Sequence, residues 1–186
     1  MTTLVALKPS QSPNPAIRWG IVFVGGCALA LIHAFSLPTL QLDDATPDLF
    51  TLGALFLALY AHREGRYLPC LMLGLVRDCV SLGLLGSYAV LYGLLWKFAS
   101  RLRARFDPDH PLNAAVFSLA GVFLVNLGYH VMLALSGDGI GWGRALMRCL
   151  TVACATAPLS VLLFPLGRAM LASWGVQRGQ GGFFNI

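Results

Sequence analysis

Apolar residues in this chain fall in runs too long for one face of a soluble helix, and polar residues fall in short clusters between them. Residues 1–18 are polar, hold Pro13 and Pro15, and read as a tail. Residues 19–37 are uncharged, with His33 as the polar exception, and roughly 19 residues suit a hydrocarbon core of ~30 Å. A cleaved signal peptide is the competing reading, but the polar leader is long and the apolar run exceeds an ordinary signal core. Val24-Gly25-Gly26-Cys27 has the look of a lipoprotein cleavage box, yet the apolar run continues past Cys27. Residues 38–48 follow with Asp43, Asp44 and Asp48 and no Lys or Arg, as an outside loop does. Pro47 suits the first turn of the next helix, where its missing N–H has no partner to lose. Asp48 then lies at the positive end of that helix dipole. The second span, 47–60, is short for a full crossing, so bilayer thinning or burial in a bundle is expected.

A basic turn with Arg63 and Arg66 comes next, placed inside. As one helix, residues 68–98 would be ~46 Å long, too much for one crossing. Basic clusters stand at both ends, Arg63 and Arg66 before and Lys97, Arg101, Arg103 and Arg105 after. If both are inside, the chain crosses an even number of times. The break is then 81–87, where Gly83 and Gly86 permit a tight turn between short helices at 68–82 and 86–98. An inside loop at 101–111 turns at Asp107-Pro108-Asp109. A fifth span is expected at 112–135, an outside loop at 136–141, and a sixth span at 146–167 holding Pro158 and Pro165. The chain is thus expected to be all-α: a polytopic membrane protein with a six-helix domain at 19–167. Cytoplasmic tails at 1–18 and 168–186 flank it.

Composition agrees. Hydrophobic residues are 57% and charged residues 11%, whereas a water-facing surface alone needs roughly 25–35% charge. Lipid must supply most of the solvent. The net charge of +5 does not imply nucleic acid, because the basic residues cluster between apolar runs without interleaved aromatics. Lys8, Arg18, Arg63, Arg66, Lys97, Arg101, Arg103, Arg105, Arg168 and Arg178 fall inside on this topology. Arg144 and Arg148 fall outside and break the pattern. Cys27, Cys70, Cys79, Cys149 and Cys154 all sit in apolar runs without ligand spacing, and read as buried small hydrophobes.

Arg77 and Asp78 are the charged residues deep in an apolar run. Asp78 is ten residues from the inner helix end, roughly 15 Å deep, and an intramembrane charge calls for a reason. Three readings apply: a proton or ion relay, a polar anchor locking helices or a partner together, or a snorkelling Arg77 with Asp78 as counter-charge. The anchor is favoured. Neighbours in sequence do not face each other on a helix, so each residue is expected to find another partner. Gly74, Asp78 and Ser81 share a small, polar face suited to close helix packing. Asn126 and His130 share a face of the fifth span, within reach of Asp78 across the bundle. No nucleophile–base pair, metal cluster or complete phosphate loop is recognisable, so neither catalysis nor a cofactor is expected. Tyr67, Trp96, Trp142 and Trp174 fall near helix ends as an aromatic belt does.

Residues 47–105 resemble the MreD family of bacterial rod-shape-determining membrane proteins. The matching parts are Pro47-Asp48-Leu49 opening a helix, the basic turn, Gly74-Leu75-Val76-Arg77-Asp78, Ser81, Gly83 and Gly86, and a short apolar helix ending in arginines. Arg77 departs from the apolar neighbour usual beside the family's acid. The resemblance implies a non-enzymatic scaffold in the bacterial inner membrane, with both termini cytoplasmic. Its implied partners are an MreC-like single-pass membrane protein and the wall-synthesis glycosyltransferase and transpeptidase, above a cytoskeleton beneath the membrane. It also implies a fold similar to the S-components of energy-coupling transporters. On that reading Pro47, Asp48, Gly74, Arg77, Asp78, Ser81, Gly83 and Gly86 serve helix packing or partner binding. The rival reading is a small-molecule-binding transporter subunit, motivated by the polar side chains of Asp78, Asn126 and His130.

Overall fold

The structure, a computed structural model, describes Gly25 and residues 46–60, 67–81, 84–103, 110–137 and 140–173. The first expected span, with His33, lies outside the described residues, as do Gly83 and the two tails up to residue 18 and from residue 174. Five helices make up the described fold: α1 (Leu49–Tyr60), α2 (Leu68–Val80), α3 (Ser87–Arg103), α4 (Pro111–Leu135) and α5 (Trp142–Ser173). No strand occurs among the described residues.

Length divides the helices into two groups. The 25 residues of α4 and the 32 of α5 extend about 38 and 48 Å, and both are apolar enough to cross a membrane. The 12 residues of α1 and 13 of α2 extend only about 18–20 Å, well short of a ~30 Å hydrocarbon core. Charge did not stop the helices where the sequence suggested. Helix α3 runs on to Arg103 rather than ending at residue 98, because Lys and Arg are good helix formers and suit the negative end of the dipole. Helix α5 begins at Trp142, ahead of Arg144, and continues past the boundary expected after Gly167: the helix propensity of Arg carries it there although the positive end of the dipole does not favour a cation. It also runs through Pro158 and Pro165, each of which removes one backbone donor.

Uncharged α1 is the centre and packs on all four other described helices. Seven of its residues are buried, among them Phe50, Leu52, Leu55 and Leu59, as expected of a helix apolar on every side. Helices α2 and α3 form one hairpin and α4 and α5 the other. In the second hairpin α5 buries Ala145, Cys149, Ala153 and Ala157, one helical turn apart. Small side chains at that spacing let two backbones approach closely. The cysteine expectation holds for Cys70 and Cys149; Cys79 and Cys154 are exposed on the outer surface instead.

Candidate functional site: a buried Asp48–Arg77 centre

The centre starts with a helix end in an awkward place. The first turn of α1 has backbone N–H groups without helical partners, and it lies inside the bundle. Neighbouring Asn126 is about 22 Å along α4 from Pro111 and about 13 Å from Leu135. Asp48 supplies the missing acceptor. It is 5% exposed, and its Oδ1 accepts from the Thr51 N–H at 3.0 Å while its Oδ2 accepts from the Thr51 hydroxyl at 2.6 Å. This is a side-chain N-cap. Pro47 therefore precedes the cap and is not in the first turn, correcting the expectation for it.

A buried carboxylate needs a counter-charge. Arg77, in the last turn of α2, donates from Nη1 to Asp48 Oδ1 at 2.7 Å and Oδ2 at 2.8 Å. The same nitrogen lies 2.8 Å from Thr51 Oγ1 and 2.6 Å from the Tyr92 hydroxyl. With two protons to share among these acceptors, it makes divided bonds. The guanidinium carbon sits 3.8 Å from the centroid of the Tyr88 ring, a cation–π contact away from water. Tyr88 in turn stacks on Tyr129 of α4 at 4.6 Å. The long hairpin closes the centre. Asn126 donates from Nδ2 to Asp48 Oδ2 at 3.2 Å, and the Asp48 backbone N–H donates to Thr156 Oγ1 at 2.9 Å. Every described helix thus reaches this single ion pair.

Asp78 faces elsewhere. It is 2% exposed and accepts from the backbone N–H groups of Gly86, Tyr88 and Ala89 at 3.1–3.2 Å and from the Ser87 hydroxyl at 3.3 Å. It caps the start of α3 from the neighbouring helix, where the dipole favours an anion. Gly86, at φ +88°, turns the chain into that cap. Gly74, one turn below Asp78, lets the two backbones meet: a Cβ there would lie 2.5 Å from Ala89 Cα.

These positions settle several expectations. Arg77 and Asp78 do have separate partners, so Asp78 is not the counter-charge of a snorkelling Arg77. Asn126 bonds Asp48 and not Asp78, because the Asp78 carboxylate is turned into the α2–α3 hairpin. His130 does not bond Asp78 either; it is buried and its Nδ1 has no hydrogen-bond partner. Ser81 is the C-cap of α2, its N–H donating to the Arg77 carbonyl at 2.8 Å. Sequence reasoning missed the Asp48–Arg77 pair and the roles of Thr51, Tyr88, Tyr92 and Thr156. One signal was available: a buried arginine requires an acid, and Asp48 opens the helix antiparallel to the one that Arg77 ends.

Chemically, the centre is saturated and tied down. The Asp48 carboxylate receives donors from three residues, Thr51, Arg77 and Asn126, and the Asp48 backbone N–H donates to Thr156. No group of three or more His, Cys, Asp or Glu able to hold a metal occurs among the described residues. Apolar helices of membrane-spanning length, joined to shorter ones through a buried ion pair, are the architecture of a helical membrane protein.

The sequence profile of the rod shape-determining protein MreD matches residues 15–165, a stretch that contains every residue of the centre. The chain belongs to this family, so the resemblance seen over residues 47–105 extends across most of its length, and it is a rod-shape-determining membrane protein. No curated protein and no solved structure matches it.

Proposed function

We propose that this chain is a non-enzymatic inner-membrane scaffold of the cell-wall elongation complex. It binds an MreC-like single-pass protein and so supports peptidoglycan synthesis by the associated glycosyltransferase and transpeptidase. Family membership motivates the partner class. The observation that carries the scaffold reading is the consumption of buried charge. Asp48, Arg77 and Asp78 all bond to other parts of the bundle. The reading includes a first span at residues 19–37 that brings the total to six, both termini in the cytoplasm, and a fold like that of transporter S-components.

Within this proposal the α2–α3 hairpin is the partner-binding element. Gly74 and Asp78 fix its shape from inside. Met72, Leu75, Val90 and Leu94 stand exposed on its outer surface, where a single transmembrane helix lies against them. The test is a gentle-detergent affinity purification of the tagged chain from its own cells, with mass spectrometry of what co-elutes. An MreC-like protein and the wall-synthesis enzymes are expected. The Asp78→Ala variant is expected to recover several-fold less of them at equal expression. Recovery of paired transporter ATPases instead, or an unaltered cell shape after deletion in a rod-shaped host, would refute the scaffold.

A further inference from the structure

Arg144 and Arg148 are unexplained by the Asp48–Arg77 centre or by the partner surface. Both are exposed and lie on α5 at a spacing of four, so they share a face near the end where α4 and α5 turn. Like charges at that spacing repel and weaken a helix. Neither has an ion pair or side-chain hydrogen bond among the described residues, and neither follows the inside placement of the other basic residues.

Depth says what sits between them. The apolar span Trp142–Ala169 has 28 residues, about 42 Å against a hydrocarbon core of ~30 Å. So long a helix overhangs the core, and exposed Trp142, a residue type enriched at membrane interfaces, places the overhang at its start. Arg144 is about 3 Å and Arg148 about 9 Å along the axis from Trp142. From there a long Arg side chain reaches back to the level of the lipid phosphates.

A third group points the same way. His130 lies about 8 Å along α4 from Leu135, level with Arg148 on the antiparallel helix. It is 9% exposed and its Nδ1 has no partner. A buried ring nitrogen without a bond is uncommon in a folded protein.

We propose that Arg144, Arg148 and His130 form a binding site for the phosphate of an anionic lipid headgroup at the α4–α5 end of the bundle. Two guanidinium forks bind the phosphate oxygens, the anion removes their mutual repulsion, and the imidazole supplies the inner wall. The acyl chains lie along the exposed Leu146, Met147 and Leu150.

The experiment uses the full chain, delipidated in a neutral detergent and titrated with dioctanoyl phosphatidylglycerol by native mass spectrometry. Dioctanoylglycerol, which lacks the phosphate, and sodium pyrophosphate serve as competitors. Saturable binding of the phospholipid, weakened about tenfold or more in Arg144→Gln/Arg148→Gln and largely retained in Arg144→Lys/Arg148→Lys, is expected. Displacement by pyrophosphate but not by dioctanoylglycerol assigns the binding energy to the phosphate. Pyrophosphate bound tightly with no preference for the lipid would make the ligand a free phosphate compound and overturn the lipid assignment. Equal binding by the wild type and the glutamine variant, at unchanged melting temperature, would overturn the site. So would unchanged lipid binding together with loss of a co-purifying protein, which would identify the arginines as a protein contact.

Discussion

The two halves of this bundle are held by different forces. Helices α1–α3 are short and meet at charges: Asp48 with Arg77, and Asp78 with the start of α3. Helices α4 and α5 are long and meet along Ala145, Cys149, Ala153 and Ala157, with Val122 packed against Val152 and Ala153. Lipid gives no hydrophobic drive between helices, so association rests on close packing and on polar bonds. A long helix offers many turns for close packing. A short one whose end stops inside the bundle exposes backbone donors there, and a capping anion and its counter-charge become necessary. Ionic centres in this fold are thus a consequence of helix length.

That contrast can be broken most severely at Arg77. Arg77→Met leaves the Asp48 carboxylate buried and unpaired, and a loss of about 3–5 kcal/mol is expected for removing one partner of a buried pair. Denaturant unfolding in mixed micelles measures it. Asp48→Asn/Arg77→Met is expected to lose less than the sum of the two single changes, because the stranded charge is gone. Additive losses would contradict the pairing.

Gly74→Val tests whether the short hairpin depends on contact as well as charge. The new side chain meets the Ala89 backbone, which cannot yield like a flexible side chain, and about 1–3 kcal/mol of destabilisation is expected. Thermal melting followed by tryptophan fluorescence reads it. An unchanged melting temperature would mean that the two backbones are farther apart than described.

The smallest effect is expected in the long hairpin. Ser160 donates to Ala157 O at 2.6 Å and also lies 3.3 Å from Ala114 O. Ser160→Ala removes these bonds but strands no charge, so roughly 1 kcal/mol or less is expected in the same unfolding assay. A loss as large as that of Arg77→Met would erase the distinction between the halves.

Much of the architecture was legible because hydrophobicity dominates it. The glycine break between α2 and α3 and the ends of α4 follow from run lengths and turn residues. The ends of α3 and α5 were misjudged because charge was read as a boundary, although Lys and Arg extend helices readily. In the centre, the sequence pattern puts Asp48 at a helix start and Arg77 deep in an apolar run, but it does not pair them. The pairing depends on how far α1 and α2 reach into the bundle, and residue periodicity carries no such depth. Tyr92 gives no signal because its ring suits an apolar run whatever its hydroxyl bonds. Thr156 gives none because a lone Thr hydroxyl in an apolar run usually bonds its own helix. Thr156 does so too, to Val152 O at 2.7 Å, while accepting from Asp48.

The bonds around Asp48 also carry an order in time. A chain entering the bilayer during translation presents Asp48 first and Arg77 29 positions later, so the acid waits only for the next hairpin arm before it is neutralised. Tyr92 then arrives, followed by Asn126 at 78 positions and Thr156 at 108. A nascent chain that has released α1–α3 already holds Asp48 against Arg77, while the last helix to emerge fastens the first.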